Sequence, residues 1–161
     1  QEWKEVKKVE EFVIAIDTSM SCSGEKVRRF LEETYSILTE QESFFRKVLI
    51  HIIQCDDRIQ SDRRITSPEE LREYMEHFDL SGEGGTDFRP VFARVEEMLA
   101  SHELTSLRGM IYFTDGQGIY PEHVPPFETA FVFTEQEEES QVPSWAIKLI
   151  LDEEELERDG Y

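Results

Sequence analysis

Apolar and polar positions alternate along this chain in blocks that change period. FVIAI at 12–16 is a continuous apolar run with β-branched residues, the pattern of a strand buried on both faces. It ends in Asp17 and a short polar loop, TSMSCSG. Val27, Phe30, Leu31, Thr34, Tyr35 and Leu38 then recur at three- and four-residue steps, which predicts an amphipathic helix. VLIHII at 48–53 predicts a second buried strand, ending near Cys55-Asp56-Asp57. The polar stretch 58–65 alternates weakly and reads as an edge strand.

Ser67-Pro68-Glu69-Glu70 predicts a helix start: Ser67 as cap, Pro68 at the first helical position and Glu70 completing a capping box. Leu71, Tyr74, Met75 and Phe78 form its apolar face. The glycine-rich loop LSGEGGT at 80–86 leads into another helix, with Val91, Val95, Met98 and Leu99 inward. MIYF at 110–113, TAFVF at 129–133 and WAIKLIL at 145–151 predict three further strands. Strands alternating with amphipathic helices indicate an α/β fold with a mainly parallel sheet. No internal repeat is visible.

The chain has 161 residues, long enough for one domain with a substantial core. Hydrophobic residues make up 39%, more than a disordered polyelectrolyte carries. With 17 basic and 36 acidic residues the formal charge is −19. That charge argues against nucleic-acid and anionic-membrane binding, since both need a basic surface. It leaves a cationic partner or a bound metal ion open. The acidic stretches at 135–139 and 152–159 are expected to be a surface loop and a tail. The expected organisation is one domain over 1–151 followed by an acidic tail at 152–161. A start at Gln1 suggests a piece of a longer protein, and QEWKEVKKVEE lacks the apolar segment of a signal peptide.

Apolar runs fall far short of the roughly 18 residues that mark a membrane helix. Cys22 and Cys55 make neither a disulfide framework nor a structural zinc site, so reduced thiols in the cytoplasm are expected. If their strands are neighbours, the two thiols can approach each other and give redox control. The four histidines make no catalytic set. His51 lies in a strand pattern, His77 and His102 near helix ends, and His123 in a proline-rich loop. His102-Glu103 lacks the second His of a zinc-protease helix, so any peptidase activity is expected outside this chain.

Three polar clusters fall at strand ends or in the loops beyond them: Asp17-Thr18-Ser19-Met20-Ser21, Gly84-Gly85-Thr86-Asp87 and Thr114-Asp115-Gly116. In open α/β sheets ligands bind at that edge, where strand order reverses. Carboxylates and hydroxyls are hard oxygen donors and suit Mg²⁺ or Mn²⁺. Two carboxylates with neutral hydroxyls leave a coordination position open, which a partner's Asp or Glu can fill. The same residues also have plainer uses. Asp17 can end a strand, Ser19 and Ser21 can cap a helix, and Gly84-Gly85 can make a turn.

Asp17-x-Ser19-x-Ser21, Thr86 and Asp115, in that order, resemble the metal-ion-dependent adhesion site of von Willebrand factor type A (VWA) domains. GEGGTDFRPVF, MIYFTDGQGIYP and VPSWAIKLIL further resemble the C-terminal VWA-like domain of bacterial proteins of a metallopeptidase-like family. The resemblance runs from about Phe12 to Leu151. It implies a Rossmann-like fold, with a mainly parallel sheet, one antiparallel edge strand and helices on both faces. It also implies that Ser19, Ser21 and Thr86 are hydroxyl ligands, that Asp17 and Asp115 ligate the metal or hold its waters, and that Asp87 is an outer-shell acid. Met20 departs from the pattern, since many relatives have Gly there. Related proteins work beside MoxR-type AAA+ ATPases, which makes such an ATPase an expected partner.

A non-enzymatic, metal-dependent protein-interaction module is the leading expectation. Two others stay open. One is a Mg²⁺-dependent phosphohydrolase with Asp17 as acceptor, although Ser19 stands where an Asp-x-Asp motif has its second acid. The other is a scaffold with a vestigial site.

Overall fold

The structure is a computed structural model that describes residues 10–19, 24–40, 48–79, 85–114, 118–133 and 142–150, without the side chains of 37–40 and 48. Its elements are β1 (Glu10–Asp17), α1 (Gly24–Glu40), β2 (Val48–Cys55), β3 (Ile59–Ile65), α2 (Pro68–His77), α3 (Arg89–Ala100), β4 (Leu107–Phe113), β5 (Thr129–Phe133) and β6 (Ile147–Ile150). The strands form one sheet in the order β3-β2-β1-β4-β5-β6. All neighbours run parallel except β2 and β3, so the edge strand read at 58–65 is the antiparallel one.

Strands β1, β2, β4 and β5 are covered on both faces, as their apolar runs require. Along β1, Val13 and Ala15 join α3 in one core, which includes Phe88, Val91, Phe92, Val95, Met98, Tyr112 and Phe131. Ile14 and Ile16 face the other way, with Val27, Phe30 and Leu31 of α1 and Leu71, Tyr74 and Met75 of α2. Aromatic rings fill both layers. Phe30 stacks on Phe113 at 4.6 Å between centroids, and Phe88 meets Tyr112 edge-on at 4.9 Å.

Local chemistry sets the element ends. Ser67 Oγ accepts the Glu70 N–H at 3.1 Å, the cap read from the sequence. The expected capping box is altered, because the Glu70 carboxylate takes the Thr66 hydroxyl at 2.6 Å. β6 begins at Ile147, later than expected; Trp145 and Ala146 lie in a turn, and Trp145 packs edge-on against Phe92 at 5.8 Å. Their apolar character serves the core and not the ladder.

Two buried polar positions have structural uses. Glu11 is 4% exposed, and its carboxylate accepts the backbone N–H groups of Thr105, at 2.8 Å, and Ser106. His51 is buried and satisfied, with Nδ1 2.9 Å from Asp62 Oδ1 on β3, as its strand position suggested. His77 closes α2, and His102, just past α3, is in the left-handed region at φ 65°. Among the described residues no helix is long and apolar enough to cross a membrane. The acidic stretches at 135–139 and 152–159 lie outside the described residues.

Candidate metal centre

Strand order reverses between β1 and β4: the chain leaves β1 toward β2 on one side and leaves β4 toward β5 on the other. Ligand crevices of open α/β sheets form at this position, outside the C-terminal strand ends. Asp17 is the last residue of β1 and is fully buried. Its Oδ1 accepts the Ser19 N–H at 2.9 Å, which turns the chain out of the strand. Its Oδ2 accepts the Thr114 hydroxyl at 2.5 Å, from the residue after β4. That bond spans the reversal. Ser19 is itself buried, at 8% exposure.

Thr86 reaches the same edge through two independent ties. On the β2 side, Asp17 pairs with Cys55, Thr18 N–H bonds to the Cys55 carbonyl at 3.0 Å, and Asp87 N–H bonds to the Asp56 carbonyl at 3.1 Å. On the β4 side, Asp87 bridges to Ile119, and Phe88 N–H bonds to the Ile119 carbonyl at 3.0 Å. Gly118 sits so close that a Cβ there would lie 2.8 Å from Thr86 Cγ2 and 2.8 Å from Phe88 Cζ. The segment from Thr86 to Phe88 is therefore held between the loops after β2 and β4, the two strands that flank β1.

Asp87 faces a different partner. Its Oδ1 accepts the Arg89 N–H and Nε–H, each at 3.0 Å, and its Oδ2 accepts Nη2–H at 2.8 Å. The Arg89 guanidinium holds the carboxyl below its usual range, and the bond to the backbone N–H caps the start of α3. The negative charge of Asp87 is thus balanced locally. Asp56, 3% exposed, accepts from Arg58 N–H at 3.1 Å and Gln60 Nε2 at 2.9 Å, which shapes the turn into β3.

Beneath these loops lie Cys55 and Tyr112. Burial is the main reason the Cys55 thiol is pushed up to about 12, with the charges of Asp56, Asp17 and Asp87 adding to it and the Tyr112 hydroxyl opposing it. Burial also raises the Tyr112 phenol well above its usual value. Cys55 Sγ–H points at the carbonyls of Asp56 (3.5 Å) and Asp87 (3.7 Å). A fully buried, protonated thiol is a poor redox sensor. The expected approach of Cys22 is not described, because Cys22 lies outside the described residues.

Of the sequence-derived ligands, Asp17, Ser19 and Thr86 are described at this edge; Ser21 and Asp115 lie outside the described residues. Among the described residues no group of three or more His, Cys, Asp or Glu converges as a metal cluster. The described donors are instead one buried carboxylate with hydroxyls, a set suited to a small hard cation that keeps water ligands. Thr18 Oγ1 is buried there with no hydrogen-bond partner among the described residues, an added polar atom at the floor. The donor set fits Mg²⁺ or Mn²⁺. The sequence places Thr114 in a strand-end cluster but does not show its bond to Asp17, and it gives no role to Gly118. Thr114 had a local signal, a hydroxyl at the strand end beside Asp115, whereas Gly118 acts through Phe88 and Thr86, which are distant in sequence.

The sequence profile of the VWA-like domain (DUF2201) matches residues 12–152. No curated protein matches the chain in sequence. Among solved structures, the VWA domain of SpRpn10 is similar over 90% of this chain and 89% of its own, at 10% identity and a TM-score of 0.61. An aerotolerance-related membrane protein from Bacteroides fragilis NCTC 9343, carrying multiple mutations to serine, is similar over 95% and 96%, at 12% identity and 0.59. The three N-terminal domains of the type V pili tip protein Mfa5 from Porphyromonas gingivalis match at 16% identity and 0.47; this chain covers 20% of that protein and 68% of itself is matched. The two fuller matches show a shared fold.

Proposed function

This chain belongs to the VWA-like domain family (DUF2201), and on that premise we propose that it is a divalent-metal-dependent protein-interaction module rather than an enzyme. Asp17, Ser19, Ser21, Thr86 and Asp115 hold Mg²⁺ or Mn²⁺, and the partner contributes an Asp or Glu carboxylate. When bound, the cation supplies a positive centre that an incoming carboxylate can ligate. A chain with a formal charge of −19 otherwise repels such a group.

The chain's own residues prepare the site. Asp17 is oriented through both oxygens, by Ser19 N–H and Thr114 Oγ1–H, so its carboxylate is fixed at the strand end where it would hold the cation or its waters. That double anchoring across the strand-order reversal is the observation that carries the reading. It also supports an orienting role over a phosphoryl-accepting one. Thr86 contributes its hydroxyl from a segment tied to both flanking loops. Asp87, paired with Arg89, acts as an outer-shell acid by fixing that segment at the start of α3.

The proposed partner class includes a MoxR-type AAA+ ATPase, in the cytoplasm, without nucleic acid or membrane. A peptidase activity of a longer protein would reside outside these residues. The reading is tested by partner capture with the full-length protein from its own cell extract, with and without chelator and with Thr86→Ala. Both perturbations should release the partner; retention in both contradicts the proposal.

A further inference from the structure

Parallel strands in α/β sheets are normally covered on both faces, and among the described residues β6 is the exception. Ile147, Leu149 and Ile150 are 53%, 47% and 40% exposed, three of the five large exposed apolar side chains among the described residues. Register assigns their directions. Ile147 and Leu149 pair with Ala130 and Val132 and share their face; Lys148 and Ile150 pair with Phe131 and Phe133 on the other. Among the described residues β6 ends the strand order and pairs with β5 alone, so its outer backbone edge has no described partner.

The two edges of the sheet differ in kind. β3 carries Asp62, Arg63 and Arg64 exposed, the charged protection typical of edges that avoid pairing. β6 has one charged residue, Lys148, and its Nζ is buried and lies 5.8 Å from the Phe133 ring centroid. Its charge is turned inward and does not guard the edge.

We infer that the outer edge of β6 is a docking surface for an extended basic segment of a partner chain, in which Lys or Arg alternates with Val, Ile or Leu. The exposed apolar pair Ile147 and Leu149 calls for apolar residues on one face of the incoming strand, and the open edge supplies ladder bonds. The formal charge of −19 selects for a basic segment and opposes a second copy of this chain. The surface is separate from the metal centre, which lies at the ends of β1 and β4, so the inference stands apart from that reading.

The test is fluorescence anisotropy with a blocked octapeptide alternating Lys and Val, titrated with the whole chain at fixed ionic strength. Two twins of the peptide, N-methylated at either the Lys or the Val positions, keep the charge and remove one set of ladder donors. At least one twin should bind about tenfold more weakly, as the loss of two or three ladder bonds implies. The charge-neutral double variant Ile147→Asn/Leu149→Asn, its fold checked by thermal unfolding, should lose binding as well, while Thr86→Ala should retain it. Equal binding by parent and both twins, or by wild type and the Asn variant, would mean charge attraction alone and overturn the inference. A wild-type dimer that the Asn variant dissolves would also overturn it, by assigning the edge to a second copy.

Discussion

Gly118→Ala isolates how the Thr86 segment is held. A Cβ at Gly118 would lie 2.8 Å from Phe88 Cζ, 2.8 Å from Thr86 Cγ2 and 2.9 Å from Phe88 Cε2, closer than packed carbons approach. Phe88 is fully buried against Tyr112, Tyr120 and Phe131, so its ring has little room to retreat. Overpacking of this kind costs about 1–3 kcal/mol. At about 2–4 °C per kcal/mol for a domain of this size, the midpoint should fall by about 2–12 °C. Gly85→Ala is the matched control. A Cβ there meets nothing within 4 Å, so that variant should be neutral or gain up to about 1 kcal/mol from a stiffer unfolded chain. Thr86→Ser removes the methyl that meets Gly118 and should restore part of the loss, with a coupling of about 0.5 kcal/mol or more. Thermal unfolding in chelator of wild type, Gly118→Ala, Thr86→Ser and the double variant gives the cycle. If Gly118→Ala melts with wild type, or Thr86→Ser adds its own loss without coupling, the packing described for this segment is wrong.

Three further outcomes follow from the same site. Thr114→Val deletes the 2.5 Å bond to the buried Asp17 carboxylate and should cost about 1–3 kcal/mol, read by denaturant unfolding without metal. Asp87, with its carboxyl held low by Arg89, contributes stability that is complete above about pH 4, the ordinary carboxylate value, and is lost as pH falls through the lowered one. Arg89→Ala should therefore melt below wild type at neutral pH and converge on it in acid; an unchanged gap across that range would contradict the pairing. In Cys22→Ser chains, Cys55 should resist alkylation at neutral pH until the domain unfolds, because its buried thiol is pushed up to about 12. Labelling of the folded chain at the rate of a free thiol would refute that burial.

The parts legible from sequence share a physical cause. FVIAI and TAFVF read cleanly because strands covered on both faces must be apolar throughout, and β5 runs over the same residues, Thr129–Phe133. α2 was equally plain, since Ser67, Pro68 and the 71, 74, 75 spacing are local signals. Trp145 misled because an apolar residue packed on Phe92 looks like strand when only pattern is read. Phe92, missing from the expected face of α3, is buried there and meets Phe127 and Trp145. Glu11 gave no hint of its use, as its partners Thr105 and Ser106 lie more than 90 residues away. At the candidate centre the strand-end positions of Asp17 and Ser19 were readable, because the apolar run before them ends there. What holds them was not: the Thr114 bond to Asp17 and the fit of Gly118 against Phe88 exist only once β1, β4 and α3 are side by side.

Asp17, Ser19, Ser21, Thr86 and Asp115 are proposed to bind a divalent ion. Thermal unfolding of wild type and Thr86→Ala against Mg²⁺, Mn²⁺ and Ca²⁺, at fixed high ionic strength, tests it most directly. Occupancy at about 100 times the dissociation constant adds about 2.7 kcal/mol, a shift of about 5–11 °C. That shift is expected for wild type with Mg²⁺ or Mn²⁺, and its loss in Thr86→Ala. Equal shifts in both chains, from screening of so acidic a surface, or none in either, would contradict it.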